Sequence, residues 1–249
     1  MTDMEEFTEK FVLRLSKMSD SALRTSLFGL TLLDLSPEMA AEMLNILCSR
    51  AGQKSWEYEI ALMSLIDIHR LSQIVGYGKM SEIFQVLRAK EYTSVIHLFT
   101  TCSSPAGRFR PLKGSVSYNP DPYLTLGEKK ALAKTPSWIV IDRLLYDQNL
   151  SVIKGLLNNS RIREDQVLRI ASHRPTSGEI LALIAIHGKW GARYNVKKAL
   201  LSNPFTPLRI ALGLIKFLLI EDLKDVVANE SLYDLLRQAA QDLLSEKLS

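Results

Sequence analysis

Apolar residues recur every three to four positions along most of the 249-residue chain. This spacing places them on one face of an α-helix, whereas a strand would require alternation. In residues 4–18, for example, Phe7, Phe11 and Leu15 fall on one helical face. The pattern predicts an all-α chain with essentially no sheet.

The first 100 residues predict a run of helices. Ser36-Pro37-Glu38 is a helix-start signal, because a serine hydroxyl caps, proline fits the first helical position and an acid favours the first turn. A long helix is expected from about Lys54 to Val75, with Gly76 ending it. We interpret residues 1–100 as an N-terminal helical block.

Residues 101–123 interrupt this pattern with four prolines and two glycines. Such residues do not continue a helix, and a loop of this length is usually functional or a linker. We predict a basic loop or linker here, with a short strand at 115–118 as a further option. Its cations are candidate binding residues: Arg108, Arg110 and Lys113.

Residues 124–249 contain a repeat with a period of 44 residues. The segment from Leu150 to Asn159 matches the segment from Tyr194 to Asn203 at Val, Lys, Leu, Leu and Asn positions. Helix pairs that repeat at about 40–47 residues are typical of HEAT and armadillo arrays. We therefore expect two helices per period and a final helix, at about 231–247, that caps the array.

The turns between these helices support the same interpretation. Thr135-Pro136 and Thr206-Pro207 are expected to start new helices, with the hydroxyl as cap. With these turns the region resembles the HEAT/armadillo-like α-solenoid class and, more narrowly, bacterial helical-repeat proteins with an Asn-Pro-x-Thr-Pro turn (Asn203 to Pro207). The resemblance covers residues 124–249 and implies a HEAT-like helical repeat (α-solenoid) there; residues 1–100, the N-terminal helical block, lack this signature. It implies no activity, so no functional residue is carried over.

Charge is distributed unevenly, although the net charge is only +4. Residues 150–220 contain 11 lysines and arginines against three acids, while residues 1–100 and 221–249 are net acidic. Lys154 and Lys198 stand one period apart, so stacked repeats would place them on one face. The predicted binding surface comprises Lys154, Arg161, Arg163, Arg174, Lys189, Trp190, Arg193, Lys197, Lys198, Arg209 and Lys216.

Sequence motifs indicate no catalytic residue, cofactor site or metal site. Four histidines stand singly, and no His-Glu-x-x-His, Cys-x-x-Cys or Gly-x-Ser-x-Gly motif occurs. Two cysteines are too few for a disulfide framework, and the acidic N-terminus lacks the form of a signal peptide. These features, with the absence of a long apolar run, predict a cytoplasmic protein without a membrane span.

Two classes of function remain open. The first is a non-enzymatic scaffold or adaptor whose basic solenoid surface binds an acidic protein or peptide. The alternative is nucleic-acid binding, including an enzyme of the HEAT-like DNA glycosylase type. The role of Trp190 also remains open, because it could contact a partner or be buried as a wedge between helices. The sequence leaves the oligomeric state undecided.

Overall fold

A computed structural model of the chain describes residues 3–51, 55–99 and 124–248. Every regular element in these ranges is helical, which confirms the all-α prediction for this part of the chain. The predicted loop at 101–123, with Arg108, Arg110, Lys113 and the optional strand, lies outside the described residues.

The chain divides into two compact units. The described part of the first unit comprises residues 3–51 and 55–99 together with Leu212–Phe217, and that of the second comprises residues 124–211 and 218–248. The short segment Leu212–Phe217 therefore belongs to the first unit, although the sequence pattern assigned it to the C-terminal block.

Seven helices and one added segment form the described part of the first unit. Ser36 caps the third helix by accepting a hydrogen bond from the Met39 N–H at 3.3 Å, as predicted. The helices are α1 (Asp3–Ser16), α2 (Ser21–Asp34), α3 (Pro37–Arg50), α4 (Trp56–Ile66), α5 (Ile68–Val75), α6 (Tyr77–Ala89) and α7 (Thr93–Phe99).

The expected long helix ending at Val75 is wrong, because the chain breaks at Asp67. Asp67 leaves helical geometry at φ −75° and ψ 62°, and its carboxylate accepts the Arg70 N–H at 3.4 Å, which starts α5. Gly76 does end α5, as expected, and its φ of 77° is a conformation that glycine adopts without strain.

The core of the first unit forms where α1 packs on α3 and α4, and α2 packs on α4 and α5. The rings of Phe11 and Phe28 meet edge to face at 5.4 Å. Residues of Leu212–Phe217 join this core, since a Cβ on Gly213 would lie 2.5 Å from the Ile66 side chain. Any larger residue at position 213 would displace Ile66.

Nine helices form the described part of the second unit, and three of them fall within each 44-residue period. The sequence predicted two, so the additional helix, α12, corrects that expectation. The helices are α8 (Leu126–Leu132), α9 (Trp138–Leu144), α10 (Leu150–Leu157), α11 (Glu164–Ser172), α12 (Gly178–Ile186), α13 (Tyr194–Ser202), α14 (Leu208–Leu214, which runs on into the first unit), α15 (Ile220–Ala228) and α16 (Asp234–Leu248).

Alternate helices of the second unit pack against each other. Helix α10 packs on α8 and α12, while α13 packs on α11 and α15. The Gln166 amide of α11 donates to the Asp142 carboxylate of α9 at 2.9 Å, which links those two helices as well. The result is one row formed by α8, α10 and α12, and a second row formed by α9, α11, α13 and α15.

A recurring hydrogen bond shapes the turns of the second unit. The side chain that follows a helix accepts the backbone N–H two residues further on, as in an Asx turn. This occurs at the ends of α9, α10, α12, α13 and α15, with Asp147, Asn159, His187, Asn203 and Asn229 as the acceptors. This hydrogen bond fixes the direction in which the backbone leaves each of these helices.

The sequence predicted that Thr135 and Thr206 cap the helices that follow them. In the structure neither hydroxyl does so. The Thr135 hydroxyl donates back to the Leu132 carbonyl at 2.7 Å, and the Thr206 hydroxyl donates back to the Leu200 carbonyl at 2.5 Å. Both threonines complete the preceding helix, because its last carbonyls lack partners within the helix.

Candidate binding surface

Three turns meet at one edge of the second unit: those between α8 and α9, α10 and α11, and α12 and α13. The Asn159 amide donates to the carbonyls of Ala133 and Thr135 at 2.8 and 2.7 Å. The indole Nε1 of Trp190 donates to the Leu157 carbonyl at 2.9 Å. These buried hydrogen bonds hold the middle turn against its two neighbours.

Exposed cations lie on all three turns. We call this set the basic edge, and it consists of Lys134, Arg161, Arg163, Lys189 and Arg193. Four of the five belong to the surface predicted from the sequence. Lys134 was missed, because it precedes the segment in which the charge excess is apparent. The hydrogen bonds from Asn159 to the Ala133 and Thr135 carbonyls bring its turn beside Arg161.

The helices that follow these turns begin side by side. The Arg193 guanidinium, just before α13, lies 3.9 Å from the carboxylate of Glu164, the first residue of α11. Tyr194 is the first residue of α13, and its hydroxyl accepts the N–H of Leu219 at 3.1 Å. Leu219 lies just before α15. The starts of α11, α13 and α15 are therefore aligned along the basic edge.

The acids near the basic edge are engaged with neighbouring cations. Glu164 lies beside Arg193, and Asp165 lies 3.9 Å from Arg169 within α11. In each pair at least one of the two side chains is more than half exposed, so solvent and salt weaken the attraction. The five exposed cations outnumber these two acids, which leaves the three turns electropositive. At the start of α15, the exposed Glu221 pairs with Lys224 at 3.1 Å.

Trp190 and Lys197 are buried, which removes them from the predicted surface. Trp190 is 2% exposed, and Lys197 is 4% exposed on the inner side of α13. The Lys189 ammonium lies 4.0 Å from the centroid of the Trp190 ring, a cation–π contact at the boundary between the core and solvent. Trp190 therefore has the structural role that the sequence left open.

Lys154 and Lys198 do not share a face in the way that their spacing predicted. Lys154 is exposed on α10, in the first row, whereas Lys198 lies on α13, in the second. The reason is the third helix in each period, since an odd number of helices moves equivalent residues from one row to the other.

Lys198 is also part of an ion pair. Its ammonium lies 2.5 Å from the Asp222 carboxylate and 3.7 Å from that of Asp225. The hydrogen bond and charge of Asp222 raise the pKa of Lys198, while the bonds from Lys198 and the Tyr194 hydroxyl lower the pKa of Asp222. Acids of the C-terminal segment thus neutralise part of the positive charge of the repeat region.

The remaining predicted cations lie elsewhere. Arg174 is on the opposite edge, where its guanidinium donates to the Ser202 carbonyl at the end of α13. Arg209 is half-buried on α14. Lys216 belongs to the first unit and donates to the Cys48 carbonyl. The structure therefore separates these three from the basic edge.

The opposite edge contains turns with different chemistry. The Tyr146 and His173 rings meet at 4.9 Å between centroids, and the Asn203 amide donates to the His173 carbonyl at 3.1 Å. Burial lowers the pKa of His173, so this imidazole is neutral near pH 7. Aromatic and amide groups dominate there, unlike the arginines and lysines of the basic edge.

His187 and Cys48 occupy structural positions. The Nδ1 atom of His187 accepts the N–H groups of Lys189 and Trp190 at 3.3 and 3.4 Å. Burial, with a smaller contribution from the Lys189 charge, lowers the pKa of His187. Burial raises the pKa of the Cys48 thiol to about 11, so the nucleophilic thiolate is scarce at neutral pH.

Within residues 3–51, 55–99 and 124–248, His, Cys, Asp and Glu side chains form no group of three or more that could hold a metal ion. In the same ranges, the helices are too short or too polar to cross a membrane. No protein-family model, curated protein or solved structure matches this chain.

Proposed function

We propose that the second unit is a HEAT-like helical repeat that acts as a non-enzymatic interaction scaffold and binds an acidic protein through the basic edge. The observation that carries this proposal is the convergence of five exposed cations on three turns that buried hydrogen bonds hold together. A surface of one charge attracts an oppositely charged partner and raises the rate of association.

Preorganisation supports binding at this edge. Asn159 ties its turn to the preceding one, and Trp190 ties the following turn to α10, so the backbone that positions the cations is ordered before a partner arrives. A preformed surface loses less conformational freedom on binding than a loop that must be ordered. The five cationic residues remain exposed to solvent.

Nucleic-acid binding is the competing proposal, and it has less support. Proteins that bind exposed bases stack them on accessible aromatic side chains. Trp190, the aromatic residue within the predicted surface, is buried and donates its indole N–H to the Leu157 carbonyl. Trp138, at the start of α9, is exposed, but it supplies one ring rather than a series on which successive bases stack. The cations of the basic edge suit phosphates as well as carboxylates, so the experiment below includes both.

The test measures fluorescence anisotropy of a labelled polyglutamate peptide and of a labelled DNA duplex with the wild-type protein. The variant combines Arg161→Glu with Arg163→Glu, and the matched control combines Lys17→Glu with Arg88→Glu, which reverses two exposed cations of the first unit. We expect the edge variant to lose about tenfold or more in peptide affinity and the control to stay close to wild type.

Two results would overturn the proposal. Equal peptide affinity in the edge variant and in the wild type would show that the basic edge is only a solvated surface. Tighter binding of the duplex than of the peptide, with a steep loss on adding salt, would favour the nucleic-acid alternative.

A further inference from the structure

Large apolar side chains lie at both ends of the row that begins with α9 and ends with α15. Trp138 and Ile139, the first two residues of α9, are 68% and 53% exposed. Leu219, just before α15, is 64% exposed. Between them lie Arg163 and Arg193, so apolar side chains flank a cationic centre.

The order of this row follows from contacts within the second unit. Asp142 of α9 accepts the amide of Gln166, near the start of α11. Helix α11 then packs on α13, and α13 packs on α15. All four helices run in the same direction, because the turns before α9, α11 and α13 meet at one edge and the Tyr194 hydroxyl, at the start of α13, accepts the N–H of Leu219, just before α15. Trp138 and Leu219 are therefore at opposite ends of one line of helix starts.

The length of this line limits what can cover it. Neighbouring packed helices lie about 8–10 Å apart, so three steps place Trp138 and Leu219 about 30 Å from each other. An extended chain advances about 3.3 Å per residue and covers this distance with about nine residues. A short peptide segment thus matches the row from end to end.

We propose that the basic edge binds an extended acidic segment of about nine residues, with a large apolar residue near each end and aspartates or glutamates between. This inference rests on the proposed function, because it assumes that the basic edge is the binding surface. Aromatic and arginine side chains such as Trp138 and Arg193 are the types that contribute most to protein interfaces.

The contacts within the protein leave the central cations accessible to such a segment. Arg193 and Glu164 are 3.9 Å apart, with Arg193 side-chain exposure of 56%, so the pair is a weak surface contact that a partner carboxylate can replace. Arg163 is exposed as well, while its backbone N–H is satisfied by the Gln166 side chain at 3.0 Å.

The aliphatic side chains at the two ends favour a peptide over a nucleic acid, although the ring of Trp138 suits a base as well as an apolar residue. Ile139 and Leu219 offer no hydrogen bond or positive charge to a phosphate and no ring on which a base can stack. Covering each of them removes apolar surface from water, which stabilises a peptide complex. Binding should therefore depend on both ends as well as on charge.

The experiment compares labelled nine-residue peptides on the full chain by fluorescence anisotropy. The first has leucine at both ends and an acidic centre; the second has serine at both ends; the third keeps the leucines with a glutamine centre; the fourth carries both leucines in the middle. We expect the first peptide to bind about tenfold more tightly than the second and the fourth, since one well-covered apolar end suffices for that factor.

Protein variants locate the effect. Trp138→Ser with Leu219→Ser should reduce affinity for the first peptide to that of the second and leave the second peptide unchanged. Leu23→Ser, at a leucine of α2 that is 56% exposed, is the matched control and should change neither. Because the peptide series is measured on the wild-type chain, a variant that failed to fold would leave the test intact.

The outcomes separate this inference from the proposed function. Equal binding of the first, second and fourth peptides would overturn the inference and leave the acidic-partner proposal standing. Equal binding of the acidic peptides and the glutamine peptide would overturn the proposed function itself.

Discussion

Asn203 repeats, 44 residues later, the hydrogen bonds that Asn159 makes. The Nδ2 group of Asn159 donates to two carbonyls of the turn between α8 and α9, and that of Asn203 donates to the carbonyls of Ala171 and His173 at 2.8 and 3.1 Å. Each Oδ1 atom accepts the backbone N–H two residues further on. The sequence period therefore marks a tie between alternate helices.

Replacing Asn203 by alanine should destabilise the protein strongly. The side chain is 1% exposed, and its loss leaves the Ala171 and His173 carbonyls without this donor in the interior. Buried polar groups left unsatisfied cost about 1–3 kcal/mol each, so we expect the free energy of unfolding in urea to fall by about 3 kcal/mol.

Asn229→Ala is the matched control for this prediction. Asn229 ends α15 with the same local bond, to the Ser231 N–H at 3.1 Å, but it is only half-buried. We expect a loss of at most about 1 kcal/mol, the usual value of one hydrogen bond. Equal losses for the two alanine variants would contradict the importance of the buried tie.

Gly191 should tolerate no side chain. A Cβ at this position would lie 2.0 Å from the Ala185 carbonyl oxygen, which is backbone and cannot move aside cheaply. We expect Gly191→Ala to lower the free energy of unfolding by about 4 kcal/mol or more. Losses of this size are exceptional for one substitution, and backbone strain is one of their few causes. Thermal unfolding followed by circular dichroism measures the effect.

Gly127→Ala provides the control, with the opposite sign. In α8 the nearest atom to the new Cβ is the Thr125 hydroxyl at 3.9 Å, which is ordinary contact. Alanine favours a helix over glycine by about 1 kcal/mol. An unchanged or raised melting temperature for Gly191→Ala would show that the turn accommodates a side chain after all.

Lys129 and Asp147 form a buried ion pair whose rupture should be costly. Their side chains are 9% and 5% exposed, and Nζ lies 3.0 Å from Oδ2. In Asp147→Asn the amide oxygen still accepts the Asn149 N–H, which Oδ1 accepts at 2.8 Å, but the Lys129 ammonium loses its opposite charge. We expect a loss of about 3–5 kcal/mol, the usual effect of removing one partner of a buried ion pair.

A double variant tests whether the Lys129 ammonium causes the loss of stability in Asp147→Asn. Adding Lys129→Met to Asp147→Asn removes the ammonium while keeping a chain of similar length. The double variant should be more stable in urea than Asp147→Asn alone, because no buried charge remains. A double variant that loses the sum of both single effects would point to packing instead.

Stability should decrease on mild acidification, in part through His187. Burial lowers the pKa of His187 below its ordinary value of 6.5, so the folded protein keeps this imidazole neutral. The unfolded chain then binds more protons below about pH 6.5, and the free energy of unfolding falls with the pH through that window. Urea unfolding at pH 7.5 and 5.5 measures the change.

His187→Asn isolates this contribution. The asparagine Oδ1 atom can accept the Lys189 N–H that Nδ1 accepts in the native protein, and it does not titrate. We expect the variant to lose less stability between pH 7.5 and 5.5 than the wild type, while the part due to His173 persists. The same pH dependence in both proteins would exclude His187 as a source.

Local signals allowed many helix ends to be predicted. The hydroxyl of Ser36 meets a backbone N–H three residues away, and Gly76 adopts a positive φ that its missing side chain permits. Interactions of this kind depend on residues a few positions apart, so the order of amino acids is sufficient to determine them. The all-α class follows from the same short-range information.

Hydrogen-bond direction was decided by the tertiary structure. The hydroxyls of Thr135 and Thr206 are suited both to capping the next helix and to completing the previous one, and the path of the chain selected the second. Asp67 likewise breaks a sequence with continuous helical spacing, because α4 packs on α1 and α2 while α5 packs on α2 and α6. The break at Asp67 depends on partners distant in sequence, whereas the threonine hydroxyls select among nearby backbone groups, namely carbonyls three and six residues back.

The amino-acid sequence by itself determined that residues 150–220 would be basic, but it did not determine which cations face solvent. Lys197 and Lys198 are adjacent, yet one is buried and the other binds Asp222, because one residue rotates the side chain by about 100° around a helix. Lys134 joins the basic edge because the Asn159 amide binds the Ala133 and Thr135 carbonyls on either side of it. Which cations share a surface depends on how the helices pack. The third helix in each period places Lys154 and Lys198 in different rows, contrary to the prediction.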